Sequence, residues 1–107
     1  MNAYLFQAAM ICEDCATKVK ANRPLPEGAD PGNEATWDSD EYPKGPFLHG
    51  GGESDSPTHC DHCMKFLENP LTGVGETYVR EALAANDGNP EVLAEWRAFY
   101  DYLEVTP

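Results

Sequence analysis

At 107 residues, 41% of them apolar, the chain has the length of a single domain and material for one modest core, which leaves no room for a second folded unit within it. Nineteen acids against seven bases leave a net charge of -12, which opposes direct binding to a phosphate backbone, because that affinity rests on Lys and Arg displacing counterions. The same charge suits a protein partner with a basic surface, or serves solubility alone.

Residues 3 to 11 carry Tyr4, Leu5, Phe6, Met10 and Ile11 and predict a short buried strand that delivers the first cysteine pair, with a helical start as the alternative. This stretch lacks a basic n-region and runs straight into Cys12, so it does not read as a secretory signal. No apolar run approaches the roughly 20 residues that cross a bilayer. A cytoplasmic setting without membrane association is the expectation, and in a reducing compartment paired cysteines mean metal or redox chemistry more often than disulfides. Ala16 to Ala21 then predicts one or two helical turns, stopped at Asn22-Arg23-Pro24.

Residues 22 to 58 hold twelve Pro or Gly among 37 positions and eight acids against two bases, and no helix or strand period survives there. Composition alone favours disorder, yet Trp37, Tyr42, Phe47 and Leu48 predict a partly ordered acidic loop pinned by large side chains, with Gly50-Gly51-Gly52 as a mobile hinge. Trp37 is either an anchor of this loop or a partner contact. The expected partner-binding stretch is Trp37, Asp38, Asp40, Glu41 and Tyr42.

Ser56-Pro57 has the form of a helix start and predicts a helix over Thr58 to Glu68, with the second cysteine pair on its opening turn and Asn69-Pro70 as its stop. Glu76 to Asn86 spaces Tyr78, Val79, Ala82 and Leu83 as one helical face, and Asn86-Asp87-Gly88 suits a left-handed end. Asn89 caps a further helix with Pro90 at its first position, and Val92, Leu93, Trp96, Phe99, Tyr100 and Leu103 form a broad apolar face. A helical hairpin over 76–104 supplying most of the core is expected.

The chemistry concentrates in Cys12-Glu13-Asp14-Cys15 and Cys60-Asp61-His62-Cys63, two Cys-x-x-Cys turns with 44 residues between them. Each turn presents two thiolates from one tight piece of backbone, and two such turns complete the tetrahedral shell of one structural zinc ion. His59 and His62 flank the second pair, so a Cys3His set stays open beside a role next to the metal or at the surface; His49 has no partner apparent and reads as exposed. Thioredoxin-like redox catalysis needs one pair in a βαβ context with depressed thiol pKa values, and Glu13, Asp14 and Asp61 work against that. A zinc deaminase would need a His-x-Glu, but Glu53 stands four residues from His49 rather than two. No catalytic role is expected.

The run Asp30-Pro31-Gly32-Asn33-Glu34, Thr36-Trp37-Asp38-Ser39-Asp40, Tyr42-Pro43-Lys44-Gly45-Pro46 and Gly50 to Asp55, continued by Cys60-Asp61-His62-Cys63 and Phe66 to Thr72, resembles a group of small uncharacterised bacterial and bacteriophage proteins with paired cysteines. The similarity covers roughly residues 12 to 85. It implies zinc and a bacterial or infected-host setting, and no activity.

The expected architecture is α+β, mainly α: a zinc-knuckle N-terminal part with a long irregular acidic loop, packed on a C-terminal helical hairpin. The expected function is a zinc-stabilised protein-binding module for a basic partner, without direct nucleic-acid binding. The alternative is an acidic nucleic-acid mimic that inhibits a basic DNA- or RNA-binding enzyme.

Overall fold

The N-terminal apolar run folds back on itself instead of continuing as one strand. In the computed structural model, which describes residues 1–103, β1 (Ala3–Phe6) pairs antiparallel with β2 (Ala9–Cys12) from Ala3↔Cys12 to Phe6↔Ala9. The two-residue turn between them puts Gln7 and Ala8 at φ 51° and 61°. Such primed turns match the twist of the strands but normally draw Asn or Gly, so these residues carry no turn signal. The turn is supported from outside, since the Gln7 N–H donates to the Ser39 carbonyl at 3.0 Å.

Helix α1 (Glu13–Asn22) starts directly after β2, with Cys12 as its N-cap and Glu13 and Asp14 in the first turn, near the positive end of the helix dipole. It is longer than Ala16 to Ala21 and contains Cys15. The stop before Pro24 is as expected.

The acidic stretch 22–58 is more structured than its composition implies. It contributes β3 (Lys44–Phe47), which pairs antiparallel with the other edge of β1 to give the sheet order β2-β1-β3, and single 3-10 turns at Glu34–Thr36 and His49–Gly51. Polar side chains organise the rest. Asp30, Asn33 and Thr36 hydrogen-bond around one turn, and Glu34 accepts the Gly45 N–H at 2.6 Å. The Arg23 guanidinium donates to the carbonyls of Glu41 and Asp40 at 2.9 and 3.4 Å. Gly50 is not a free hinge: it is buried, its N–H donates to the Met1 carbonyl, and a Cβ there would collide with the Leu67 carbonyl. Its φ of 64° is the reason glycine is needed.

Residues 58–68 do not form the expected helix. They make a narrow hairpin closed by Leu67 N–H to the Thr58 carbonyl at 2.9 Å, Cys60 N–H to the Lys65 carbonyl at 2.7 Å and a His59↔Phe66 bridge. The helix-start signal at Ser56-Pro57 loses because extended backbone sends successive side chains to opposite faces. Leu67 and Cys60 are buried against the sheet, while Phe66 is buried against the C-terminal helices. A helix would have placed Phe66 and Leu67 much closer to one side.

Helix α2 (Gly73–Ala85) begins a turn before Glu76, capped by the Thr72 hydroxyl on the Gly75 N–H, and ends at Asn86 in the left-handed region. Helix α3 (Pro90–Phe99) has the expected Asn89 cap. Tyr100 to Leu103 form a turn rather than further helix, and residue 104, the expected end of the hairpin, lies outside the described residues. The two helices do not supply most of the core. One cluster joins β1, β2, α1, Cys60 and Leu67; the second joins α2, α3, Phe66 and Leu71. The radius of gyration, 16.1 Å, exceeds the roughly 13 Å of a compact chain of this length and reflects that division. Among the described residues no helix is long and apolar enough to cross a membrane.

Asn69 ties the parts together. It is completely buried; its Oδ1 accepts the Thr58 N–H at 2.7 Å, its Nδ2 donates to the carbonyls of Ser56 and Pro70, and its own carbonyl accepts the Tyr100 hydroxyl at 2.6 Å. Truncation leaves the part-buried Thr58 N–H and the Ser56 carbonyl short of this partner, while the Pro70 carbonyl keeps the Ser54 N–H. Asn69→Ala should therefore lower the unfolding free energy in urea titration by about 2–4 kcal/mol; a loss below about 0.5 kcal/mol would place the joint elsewhere.

Candidate metal centre

Each cysteine is delivered by a different local device. Cys12 is the last residue of β2 and Cys15 lies in the first turn of α1, so the first pair spans a strand-to-helix corner. Cys60 and Cys63 occupy the tip of the 58–67 hairpin, where the Met64 N–H returns to the Cys60 carbonyl at 2.8 Å. The tip is docked on the sheet by the Asp61 N–H, which donates to the Met10 carbonyl at 3.0 Å.

This brings the four sulfurs within 4.8 Å of one another, with Cys12 Sγ and Cys63 Sγ 3.7 Å apart. A tetrahedron with metal–sulfur bonds of about 2.3 Å has edges of about 3.8 Å, so the cluster has the size of a tetrathiolate metal shell. All four thiols are free, and the 3.7 Å separation is far beyond a disulfide bond of about 2.05 Å. The cluster can hold one metal ion.

Backbone donors converge on the same sulfurs. Burial pushes the Cys60 thiol up, but the N–H groups of Cys12, Cys63 and His62 outweigh it and bring the group down to about 6. The Lys65 N–H faces Cys63 and favours its thiolate, whereas burial and the Cys60 and Cys12 side chains leave that thiol raised in net. Burial, then the neighbouring thiols of Cys12, Cys63 and Cys60, raise Cys15. One low thiol among raised ones is the pattern of a crowded cluster that resists accumulating negative charge without a cation.

Neither flanking histidine joins the sulfurs. The His59 ring packs on the second cluster, against Phe66 and Trp96: Nδ1 is 3.0 Å from the Met64 carbonyl and Nε2 accepts the Trp96 indole N–H at 3.3 Å. Since an indole only donates, Nε2 is the acceptor and Nδ1 carries the proton. His62 packs edge-on to Phe6 with ring centroids 6.1 Å apart. His49 is exposed, as expected.

The expected partner-binding residues occupy one turn of the acidic loop. Trp37 is half-buried, donates its indole N–H to the Tyr42 carbonyl at 3.2 Å and meets the Tyr42 ring edge-on, so it anchors the loop. Asp38 Oδ1 accepts the Asp40 N–H at 2.9 Å. Asp38, Asp40 and Glu41 are exposed. Sequence reasoning did not find the roles of Lys65 and His62 as N–H donors to sulfur; Cys-x-x-Cys spacing itself carried that signal, since tight knuckle turns aim backbone N–H groups at their own cysteines.

No protein-family model matches this chain, and no curated protein and no solved structure matches it. Of the resemblance drawn from the sequence, the structure supports the paired cysteines and their convergence.

If His59 ties the hairpin to Trp96 and does not ligate, His59→Ala should keep full metal content by native mass spectrometry while losing about 1–2 kcal/mol of stability. Loss of stoichiometric metal in that variant would return the histidine to the ligand set.

Proposed function

We propose that the chain is a small acidic protein-binding module whose N-terminal half is held together by one structural zinc ion, and that it is not a catalyst. The observation that carries the metal is the approach of all four sulfurs to within 4.8 Å. Zinc suits it better than harder cations because four sulfur donors in a closed tetrahedral shell leave no position for water or substrate. The same closure argues against dithiol redox catalysis, which works with one pair of cysteines and a second sulfur free to attack.

A basic protein partner is favoured by how the few cations are used. Arg23 serves carbonyls and lies 5.1 Å from the centroid of the Phe6 ring, Lys20 lies 4.8 Å from that of Tyr4, and Arg97 donates to the Leu83 carbonyl at 3.0 Å. Three of the seven bases are thus engaged with neutral groups, and the exposed carboxylates of Asp38, Asp40 and Glu41 face solvent from a loop anchored by Trp37. Such a field speeds association with a cationic surface and weakens with salt. The resemblance to bacterial and bacteriophage proteins suggests the cytoplasm of a bacterium or an infected host cell as the setting.

Native mass spectrometry should find one zinc per chain. Chelation removes binding energy on the order of 10 kcal/mol for sites of this type, so NMR should lose the dispersed signals of residues 3–22 and 58–67 while α2 and α3 keep much of their helix. A metal-free protein with an unchanged, dispersed spectrum would sink the zinc assignment.

The partner surface is tested separately. Reversing Asp38, Asp40 and Glu41 to Lys should leave zinc content intact and abolish salt-sensitive retention of the basic protein captured by the native chain; unchanged retention would move the contact away from this loop.

A further inference from the structure

We propose that the Cys63 sulfur is the reactive ligand of the centre, an oxidation site at which a small hydroperoxide reacts and releases the metal. The inference rests on the zinc centre proposed above. Of the four cysteines, Cys12, Cys15 and Cys60 are buried and Cys63 is exposed. Cys63 borders an open groove of about 580 Å³ whose walls include Phe6, Lys18, Arg23 and His62; Cys15 also lies on this wall but is buried, so Cys63 is the sulfur the groove exposes. Two cations and no carboxylate line this groove, in a chain of net charge -12, so the alkoxide and hydroxide that leave in the steps below meet no like charge there.

Access singles out the same sulfur: Cys12, Cys15 and Cys60 are shielded by burial, Cys63 is not, and the reactivity of thiolates follows exposure.

The nearest acceptor for a second step is already in place. The Cys63 thiolate attacks the terminal oxygen of the hydroperoxide; an S–O bond forms, the O–O bond breaks, and the alkoxide leaves and takes a proton from water. Sulfur is oxidised to the sulfenic acid and the peroxide is reduced to the alcohol. The Cys12 thiolate, its sulfur 3.7 Å away, then attacks the sulfenic sulfur. A disulfide forms, and hydroxide leaves and is protonated to water. Two of four thiolates are lost to the metal, which departs. The new bond joins the end of β2 to the tip of the 58–67 hairpin, the same two pieces that the metal joined, so oxidation exchanges one cross-link for another.

The test uses the full-length protein with its metal content measured first; a metal-free preparation would defeat the zinc assignment itself. Zinc-loaded protein is treated with equimolar hydrogen peroxide, zinc release is followed with a chromogenic chelator, and the thiols are mapped by alkylation and peptide mass spectrometry. The expected result is zinc release with loss of two thiols and a Cys12–Cys63 disulfide as the first product. Cys63→His keeps a fourth ligand without an oxidisable thiolate and should slow release roughly tenfold, while Cys60→His should not. Oxidation that starts at Cys15 or Cys60, or a Cys63→His variant that loses zinc as fast as the native protein, would overturn the assignment while leaving the zinc centre standing.

Discussion

Four sulfurs within 4.8 Å of one another are the constraint on which the N-terminal half depends. As thiolates, each pair about 4 Å apart would repel by on the order of 4 kcal/mol at an effective dielectric constant of 20. As thiols, they would exchange hydration for weak S–H hydrogen bonds. A divalent cation at the centre turns the same geometry into net attraction, and the N–H groups aimed at Cys60 support the charged form. The sulfurs come from a strand end, a helix start and a hairpin tip, so whatever holds them holds those three pieces in one arrangement.

The hairpin at 58–67 carries that arrangement to the rest of the molecule. Its alternating side chains serve both cores: Cys60 and Leu67 are buried on the sheet side, while Phe66 joins the cluster of α2 and α3. His59 continues the second face through its hydrogen bond from Trp96, and its ring lies 5.3 Å from that of Phe66. Asn69, just beyond the hairpin, closes the joint with hydrogen bonds to the backbone on one side and from Tyr100 on the other. A polar residue is tolerated at zero exposure there because every one of its side-chain groups is satisfied.

The acidic loop has a different logic. Its backbone is held by its own short polar side chains, by the Arg23 guanidinium and by the Trp37 indole, so the order of the segment does not consume its carboxylates at Asp40 and Glu41. At Asp40 and Glu41 structure and surface charge are thereby separated: their backbone carbonyls take the cation and their side chains remain for solvent or a partner, whereas the carboxylates of Glu34 and Asp38 accept N–H groups of the loop itself. This is why a composition typical of a disordered linker accompanies an ordered path, and why the likeness to a linker misleads when the anchors are ignored.

The candidate ligands were legible in the sequence because a Cys-x-x-Cys turn is a local device; the spacing of Cys12 with Cys15 and of Cys60 with Cys63 determines that each pair converges whatever surrounds it. The caps and stops were legible for the same reason, Asn86, Asn89 and Pro90 acting on backbone groups within a turn of themselves. Tertiary structure decided the rest. Gln7-Ala8 turns a strand into a hairpin with help from Ser39, 58–68 becomes extended because its two faces have different cores to meet, Gly50 packs against Leu67, and Asn69 finds Tyr100. In each case the decisive partner is distant along the chain, and a residue's own propensity is worth less than the burial and hydrogen bonds that a distant partner supplies.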